Sequence, residues 1–190
     1  MITYRGINHV AMATSDMDHT VRFWRDLLGM RLIASMGKPG QRQYFLEVSD
    51  RDMITFFEWE GVEPLEEKDH GYPVKGKFGF DHISFGVESQ DNLCELKGKL
   101  STAGFWVSEI VDHGFLHSLY SFDPNGIPIE FSYEVPGINI RAKPMLRDRN
   151  PGFTAREDHE PVPGQWPESE PLPPDECRVY PGDGKDIFTS

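Results

Sequence analysis

Two histidines and one glutamate carry the chemistry this sequence most readily supports. His9 stands in Ile7-Asn8-His9-Val10-Ala11-Met12, and His82 in Phe80-Asp81-His82-Ile83-Ser84-Phe85, 73 residues further on. Glu130 lies between Ile129 and Phe131. Side chains alternate faces along a strand. His9 therefore shares a face with Ala11 and Ala13, and His82 with Ser84 and Gly86, small residues that leave room above a sheet. Val10 and Met12, like Ile83, Phe85 and Val87, turn the other way and suit packing under helices. Glu130 points away from its apolar neighbours in the same manner. Two imidazoles and a carboxylate around one divalent ion leave coordination positions open, as in non-haem Fe(II) oxygen-activating sites. Mn(II), Zn(II), Ni(II) or Co(II) could use the same ligands. Taken singly, each histidine could equally be a strand residue with a local hydrogen bond; their matching positions weigh against that.

Those matching positions belong to an internal repeat. Leu28-Gly29-Met30 resembles Ala103-Gly104-Phe105, and Met53-Ile54-Thr55-Phe56 resembles Pro128-Ile129-Glu130-Phe131, each shifted by 75 residues. Two copies of one supersecondary unit explain the nearly constant offset. Each copy reads as a strand, a helix and three strands. In the first, a strand over 7–14 precedes a helix that Ser15 can cap, with Asp18 three residues on. Met17, Val21, Trp24 and Leu28 recur at helical spacing, and Gly29 suits the helix end. Strands near 31–37, 42–49 and 53–59 follow. In the second, a strand over 79–87 leads to a helix opened by Ser89, lined by Leu93, Leu96 and Leu100, and closed by Gly104. Strands near 105–111, 115–122 and 127–134 complete it, the last two joined by the turn Asp123-Pro124-Asn125-Gly126. Thr55 holds in the first copy the place of Glu130 in the second, so the site has three protein ligands rather than four.

The remainder of the chain bounds the setting. Of 190 residues, 38% are hydrophobic and 26% charged, the balance of a packed domain. The net charge of −12 repels phosphate backbones, so no nucleic-acid partner is expected. No apolar run approaches the roughly 20 residues that span a bilayer, and Met1–Arg5 lacks the apolar core of a signal peptide. A cytoplasmic protein without a membrane partner is expected. Cys94 and Cys177 show no metal spacing and read as free thiols. Ten of the 15 prolines fall in residues 135–190, which excludes long helices and interior strands there. Phe153, Trp166, Tyr180 and Phe188 suggest the anchors of an extended arm that wraps its own domain or a partner subunit; a disordered tail is the alternative. Residues 1–134 then form one domain, with modules at about 5–60 and 79–134, and residues 135–190 a Pro-rich C-terminal extension.

The stretches INHVAM and FWRDLLGM, with FDHISFGV and SFDPNGIPIEF, resemble the vicinal oxygen chelate superfamily. It includes glyoxalase I, methylmalonyl-CoA epimerase, fosfomycin- and bleomycin-resistance proteins and type I extradiol dioxygenases. The resemblance covers about residues 5–134. It implies an α+β fold, two tandem βαβββ modules forming a curled mixed sheet around a metal cavity. Glyoxalase-like members tend to take a fourth ligand where Thr55 stands, which points to the dioxygenase branch. Val111-Asp112-His113, Leu119-Tyr120, Asp123-Pro124-Asn125-Gly126 and Glu130 are similar in type and spacing to the extradiol ring-cleavage signature, closest to one-domain type I members. By that resemblance His9, His82 and Glu130 would hold Fe(II), and Tyr120 would hydrogen-bond a substrate oxygen. His113 would line the pocket and assist proton transfer, with His117 as the alternative for that role. His70 is the nearest candidate for a further acid–base histidine, though it lies closer to His82 than the family pattern has it. The implied partners are a catechol-like aromatic diol and O2, with a homodimer or higher homo-oligomer as the assembly. The competing readings are another metal-dependent member (an isomerase, epimerase or thiol transferase) and a metal-free small-molecule-binding protein. Phe57, Trp106 and Phe115, as strand residues, are expected in the core rather than in pocket walls.

Overall fold

The structure is a computed structural model that describes residues 6–74, 80–147, 149–151, 154–157, 160–166, 168, 170–182 and 185–188. The first strand, β1 (His9–Thr14), leads into α1 (Met17–Val21), which runs on as a π-helical turn over Arg22–Leu27. The cap is Asp16 rather than Ser15. Its carboxylate accepts from the His19 amide at 2.9 Å, while its own amide is taken by Thr14 Oγ1 at 3.0 Å. That bond delays the helix by one residue. The Leu28 amide reaches back five residues to the Phe23 carbonyl at 3.0 Å. The wide turn this makes points both Phe23 and Trp24 inward, where they are 2% and 0% exposed. Met17, Val21 and Trp24 are buried as expected, whereas Leu28 is only half-buried.

Three strands, β2 (Arg31–Lys38), β3 (Gln41–Glu47) and β4 (Met53–Glu58), complete a sheet ordered β1-β4-β3-β2. The second copy follows with β5 (Ile83–Gly86) and α2 (Gln90–Thr102), capped by Ser89 through the Asn92 amide at 3.2 Å. Then come β6 (Val111–Asp112), β7 (Leu116–Phe122) and β8 (Pro128–Glu134), in the order β5-β8-β7-β6. The two sheets repeat one plan: β1 pairs in parallel with β4, and β5 with β8. Ala11 lies opposite Thr55, and Ser84 opposite Glu130. Thr55 and Glu130 therefore occupy one register, as the repeat predicts.

The fold class is α+β, as expected: among the described residues the strands form two four-stranded mixed sheets, one from each module. A cleft of about 480 Å³ is lined by Ile7, Val10 and Met53 from the first module and by His82, Ser84 and Gly86 from the second. One expectation needs correction: the strand over 105–111 is absent as a continuous strand, and among the described residues a Val107–Ser121 bridge and the short β6 remain. Side chains replace its ladder, since Ser108 Oγ takes the Tyr120 amide at 2.9 Å and Ser121 Oγ donates to the Trp106 carbonyl at 2.7 Å.

The core joins both copies. Trp24, Leu46, Ile54, Phe56, Leu93, Leu100, Leu119 and Ile129 are all but fully buried, each worth about 1.5–3 kcal/mol on burial. The Trp24 ring centroid lies 5.4 Å from that of Phe85, and Phe23 lies 4.7 Å from Phe105, so the first copy's helix packs on the second copy's sheet. Trp24 Nε1 donates to Asp123 Oδ2 at 3.2 Å, and Asn125 Nδ2 to Thr20 Oγ1 at 3.2 Å. Asp123 also accepts the amides of Asn125 and Ile127 at 2.8 and 3.0 Å. Its burial pushes the carboxyl pKa up, against those hydrogen bonds. The turn it closes meets the linker, where the Leu65 amide donates to the Asn125 carbonyl at 2.8 Å. Gly126, at φ +72°, has room for no Cβ, which would stand 2.2 Å from the Leu65 carbonyl oxygen.

Residues 137–190 form a second compact unit, distinct from that of residues 1–136. Its described elements are a 3₁₀ turn at Thr154–Arg156 and α3 (Lys185–Phe188), in keeping with the proline density. Trp166, Tyr180 and Phe188, expected as anchors, are 87%, 76% and 56% exposed; Phe153 lies outside the described residues. Cys94 and Cys177 are both free and exposed. No described helix is long and apolar enough to cross a membrane.

Candidate functional site

The three adjacent strands β5, β8 and β7 put His82, Glu130 and Tyr120 side by side. Ser84 pairs with Glu130 and Tyr120 pairs with Glu130, and side chains opposite one another share a face. That face also carries Ser118 and Ser132, while the other carries Phe85, Leu119, Ile129 and Phe131 and packs into the core. His82 Nε2 lies 3.0 Å from Glu130 Oε2, and His82 Nδ1 lies 2.7 Å from Asp81 Oδ1. Asp81 in turn accepts from Lys68 Nζ at 2.9 Å and from the Gly71 amide at 3.0 Å. His82 first, then Lys68, hold the Asp81 carboxyl well below the usual carboxylate range.

Glu130 is 6% exposed. Burial alone would raise its pKa. The hydroxyls of Ser118 and Ser84, followed by His82 and Tyr120, outweigh that effect and leave it lowered, so the carboxylate is charged at neutral pH. The Tyr120 phenol is raised, chiefly by burial and then by Glu130, so it stays protonated. His113 Nε2 stands 2.9 Å from the Tyr120 hydroxyl.

His113 reaches Tyr120 from the turn that follows β6, where its amide donates to the Leu116 carbonyl at 2.8 Å. That turn breaks the strand alternation that would have put His113 and His117 on one face. His117 instead belongs to the helix side of β7: its Nδ1 is 3.3 Å from Gln90 Oε1 on α2, and its ring is 6.3 Å from that of Tyr133. It takes no part in the cluster. The linker delivers His70 to the site. Its ring centroid is 4.8 Å from Tyr120, 5.1 Å from Phe122 and 5.7 Å from His82. Burial first, then the His82 charge, lowers its pKa, and its Nε2 is buried without a partner. Trp106 lies nearly parallel to His70 at 6.3 Å and is 49% exposed, so it walls the site instead of joining the core. Phe115 is likewise exposed, and Phe57 is half-buried against Trp59.

His9 makes other contacts. Its Nδ1 is 2.8 Å from Asn8 Oδ1, and its ring is 5.9 Å from that of Phe45. Among the described residues no three His, Cys, Asp or Glu side chains stand close enough together to hold a metal ion. The His82–Glu130 pair itself fits one. Two ligand atoms bound at right angles, each about 2.1 Å from an ion, stand about 3.0 Å apart, the separation of Nε2 and Oε2. The donor set of imidazole and carboxylate suits Fe, Mn or Zn. Beside the pair, His70 Nε2 is buried with no hydrogen-bond partner, although buried polar groups ordinarily find one. Sequence reasoning missed Asn8 and Asp81; their signal was the acceptor residue standing just before each histidine of the repeat.

Residues 6–131 match the model of a family described as the Glyoxalase/Bleomycin resistance protein/Dioxygenase superfamily. The chain is 31% identical over 138 residues to an iron-dependent extradiol dioxygenase of Rhodococcus jostii (strain RHA1), covering 68% of this chain but only 43% of that protein. It is 26% identical over 129 residues to a lactoylglutathione lyase of Haemophilus influenzae, covering 66% of this chain and 90% of that protein. Among solved structures, a glyoxylase/bleomycin resistance protein/dioxygenase domain from Frankia sp. EAN1pec superposes with a TM-score of 0.59 at 23% identity, over 72% of this chain and 96% of that one.

Proposed function

Because the chain belongs to the Glyoxalase/Bleomycin resistance protein/Dioxygenase superfamily, we propose that it is a metal-dependent extradiol-type dioxygenase acting on a catechol-like diol with O2. The observation that carries this reading is the chain of contacts from Asp81 through His82 to Glu130, with the Tyr120 hydroxyl and His113 alongside. His82 and Glu130, 3.0 Å apart, would hold the ion, with His9 of the first module as third ligand. Bound Fe(II) would supply the electron transfer that lets O2 react with the ring. Mn(II), Zn(II), Ni(II) and Co(II) suit the same ligands.

The protein's own groups do the rest. Tyr120, held protonated by burial and by Glu130, donates a hydrogen bond to a substrate oxygen. His113, in contact with that hydroxyl, takes or returns a proton through it. His70, kept neutral by burial, offers an unengaged Nε2 to a second substrate hydroxyl. Trp106 closes the pocket against the flat face of a ring. A cytoplasmic homo-oligomer belongs to the same reading.

A second reading, a glyoxalase- or epimerase-like metalloenzyme, is favoured by the 26% identity to a lactoylglutathione lyase. Thr55 weighs against it: the first-copy register that matches Glu130 holds a buried hydroxyl bonded to the Tyr44 carbonyl at 2.9 Å. The deciding experiment loads the protein anaerobically with Fe(II) and follows O2 uptake on adding catechols. Ring-opened product formed with one O2 consumed per ring is the expected result. Hemithioacetal turnover with Ni(II) or Co(II) and no O2 uptake with any diol would overturn it.

A further inference from the structure

The C-terminal unit divides its charge sharply along the chain. Residues 141–149 hold Arg141, Lys143, Arg147 and Arg149 against one acid, Asp148, in a chain of net charge −12. Residues 157–176 hold seven acids, six prolines and no Lys or Arg. We propose that the basic segment forms a groove that takes the acidic, Pro-rich segment of a second protomer of this chain, each protomer lending its arm to the other. The proposal goes beyond the metal reading and uses none of its residues.

The groove begins with a turn. Asn139 Oδ1 accepts the Arg141 and Ala142 amides at 3.1 and 2.9 Å, and the Lys143 amide donates to the Asn139 carbonyl at 2.9 Å. That closes one helix-like turn, which Pro144 cannot continue. The bend leaves a cleft of about 590 Å³, lined by Ile138, Met145 and Leu146 together with Lys143 and Arg147. Among the described residues the lining comes wholly from 137–147, so the protomer's own acidic segment does not fill it. Ile138, Met145 and Leu146 are left exposed. The acidic segment has the complementary need. Its prolines deny it the helix or ladder that would cover apolar side chains, and Trp166 and Leu172 are 87% and 63% exposed. Glu168 and Glu170 lie between those two anchors in the chain. An apolar cleft with two cations therefore matches two apolar anchors with two carboxylates between them. Basic clusters recognise acidic segments in this way, and a large aromatic anchor set in a pocket carries much of the energy of such contacts. The prolines also limit the freedom the segment loses on docking. A two-fold pair makes the contact twice, because each protomer carries both halves of it.

Sedimentation velocity on the full-length chain at low ionic strength supplies the test. The parent should associate reversibly, and more weakly as salt rises, because exposed charges are screened. Lys143→Glu with Arg147→Glu reverses the groove; Glu168→Lys with Glu170→Lys reverses the arm. Each double variant alone sets like charge against like, and its dissociation constant should rise by at least about 10-fold. An equimolar mixture of the two should regain the parent's association, since every arm then meets a groove of opposite charge. That rescue also shows both variants to be folded, and arms that fold back on their own groove would gain nothing from mixing. Carbodiimide coupling of mixed ¹⁴N- and ¹⁵N-labelled parent chains locates the contact: peptides joining Lys143 to Glu168 or Glu170 should carry both isotopes. A parent that stays monomeric, double variants that associate like the parent, a mixture no tighter than its components, or coupling confined to one isotope would each overturn the proposal.

Discussion

His113 and His117 stand four residues apart, yet a hairpin turn sends one to Tyr120 and the other to the helix side of the sheet. Their substitution separates two roles that sequence spacing leaves together. His113→Ala should lower ring-cleaving turnover by about 10²–10⁴-fold, the usual range for a lost proton-transfer group. His117→Ala should leave turnover and bound Co(II) unchanged; a matching loss in both variants would place the proton path elsewhere. The His82–Glu130–Tyr120 grouping was legible in the sequence because strand alternation fixes the face of each residue, and the apolar flanks of Glu130 reveal which face that is. His70 was a candidate through the family resemblance alone, because a linker has no period from which a direction can be read. Trp106 escaped for a related reason: side-chain bonds from Ser108 and Ser121 take the place of the strand that would have buried it.

Among the elements, the repeat offset gave the succession of strands and helix in each copy and matched Thr55 to Glu130, while the order and register within each sheet came from the structure. The π-helical turn was hidden, because Met17, Val21 and Trp24 satisfy an ordinary helical period and only the burial of Phe23 requires the extra residue. Glycines show how local geometry and neighbours combine. Gly104 has φ +85° but open space around a Cβ, whereas Gly126 combines φ +72° with the Leu65 carbonyl 2.2 Å away. Gly104→Ala should cost about 1 kcal/mol, the strain of the left-handed backbone alone. Gly126→Ala must also push the linker off the turn and should cost at least about 2–3 kcal/mol. Urea unfolding midpoints measure both, and equal costs would show that the linker yields freely.

For the molecule as a whole, the two copies are tied by a buried polar cluster as well as by shared apolar packing. Asp123 is its centre, and burial raises its carboxyl pKa. A raised native pKa means that its contribution to stability is complete below the unfolded value, about 4, and is lost as pH rises through the native value. Asp123→Asn cannot ionise. Its unfolding free energy should therefore fall less than that of the parent from about pH 4 to about pH 7; parallel slopes in urea titrations would refute the assignment. The duplication also left an imbalance. Thr55 sits where the second copy has Glu130, fully buried and bonded to its neighbouring strand. A carboxylate grafted there would lose its hydration with no cation beside it, so a charge at this position is costly. A ligand can enter the Thr55 register only if the packing over that strand first loosens.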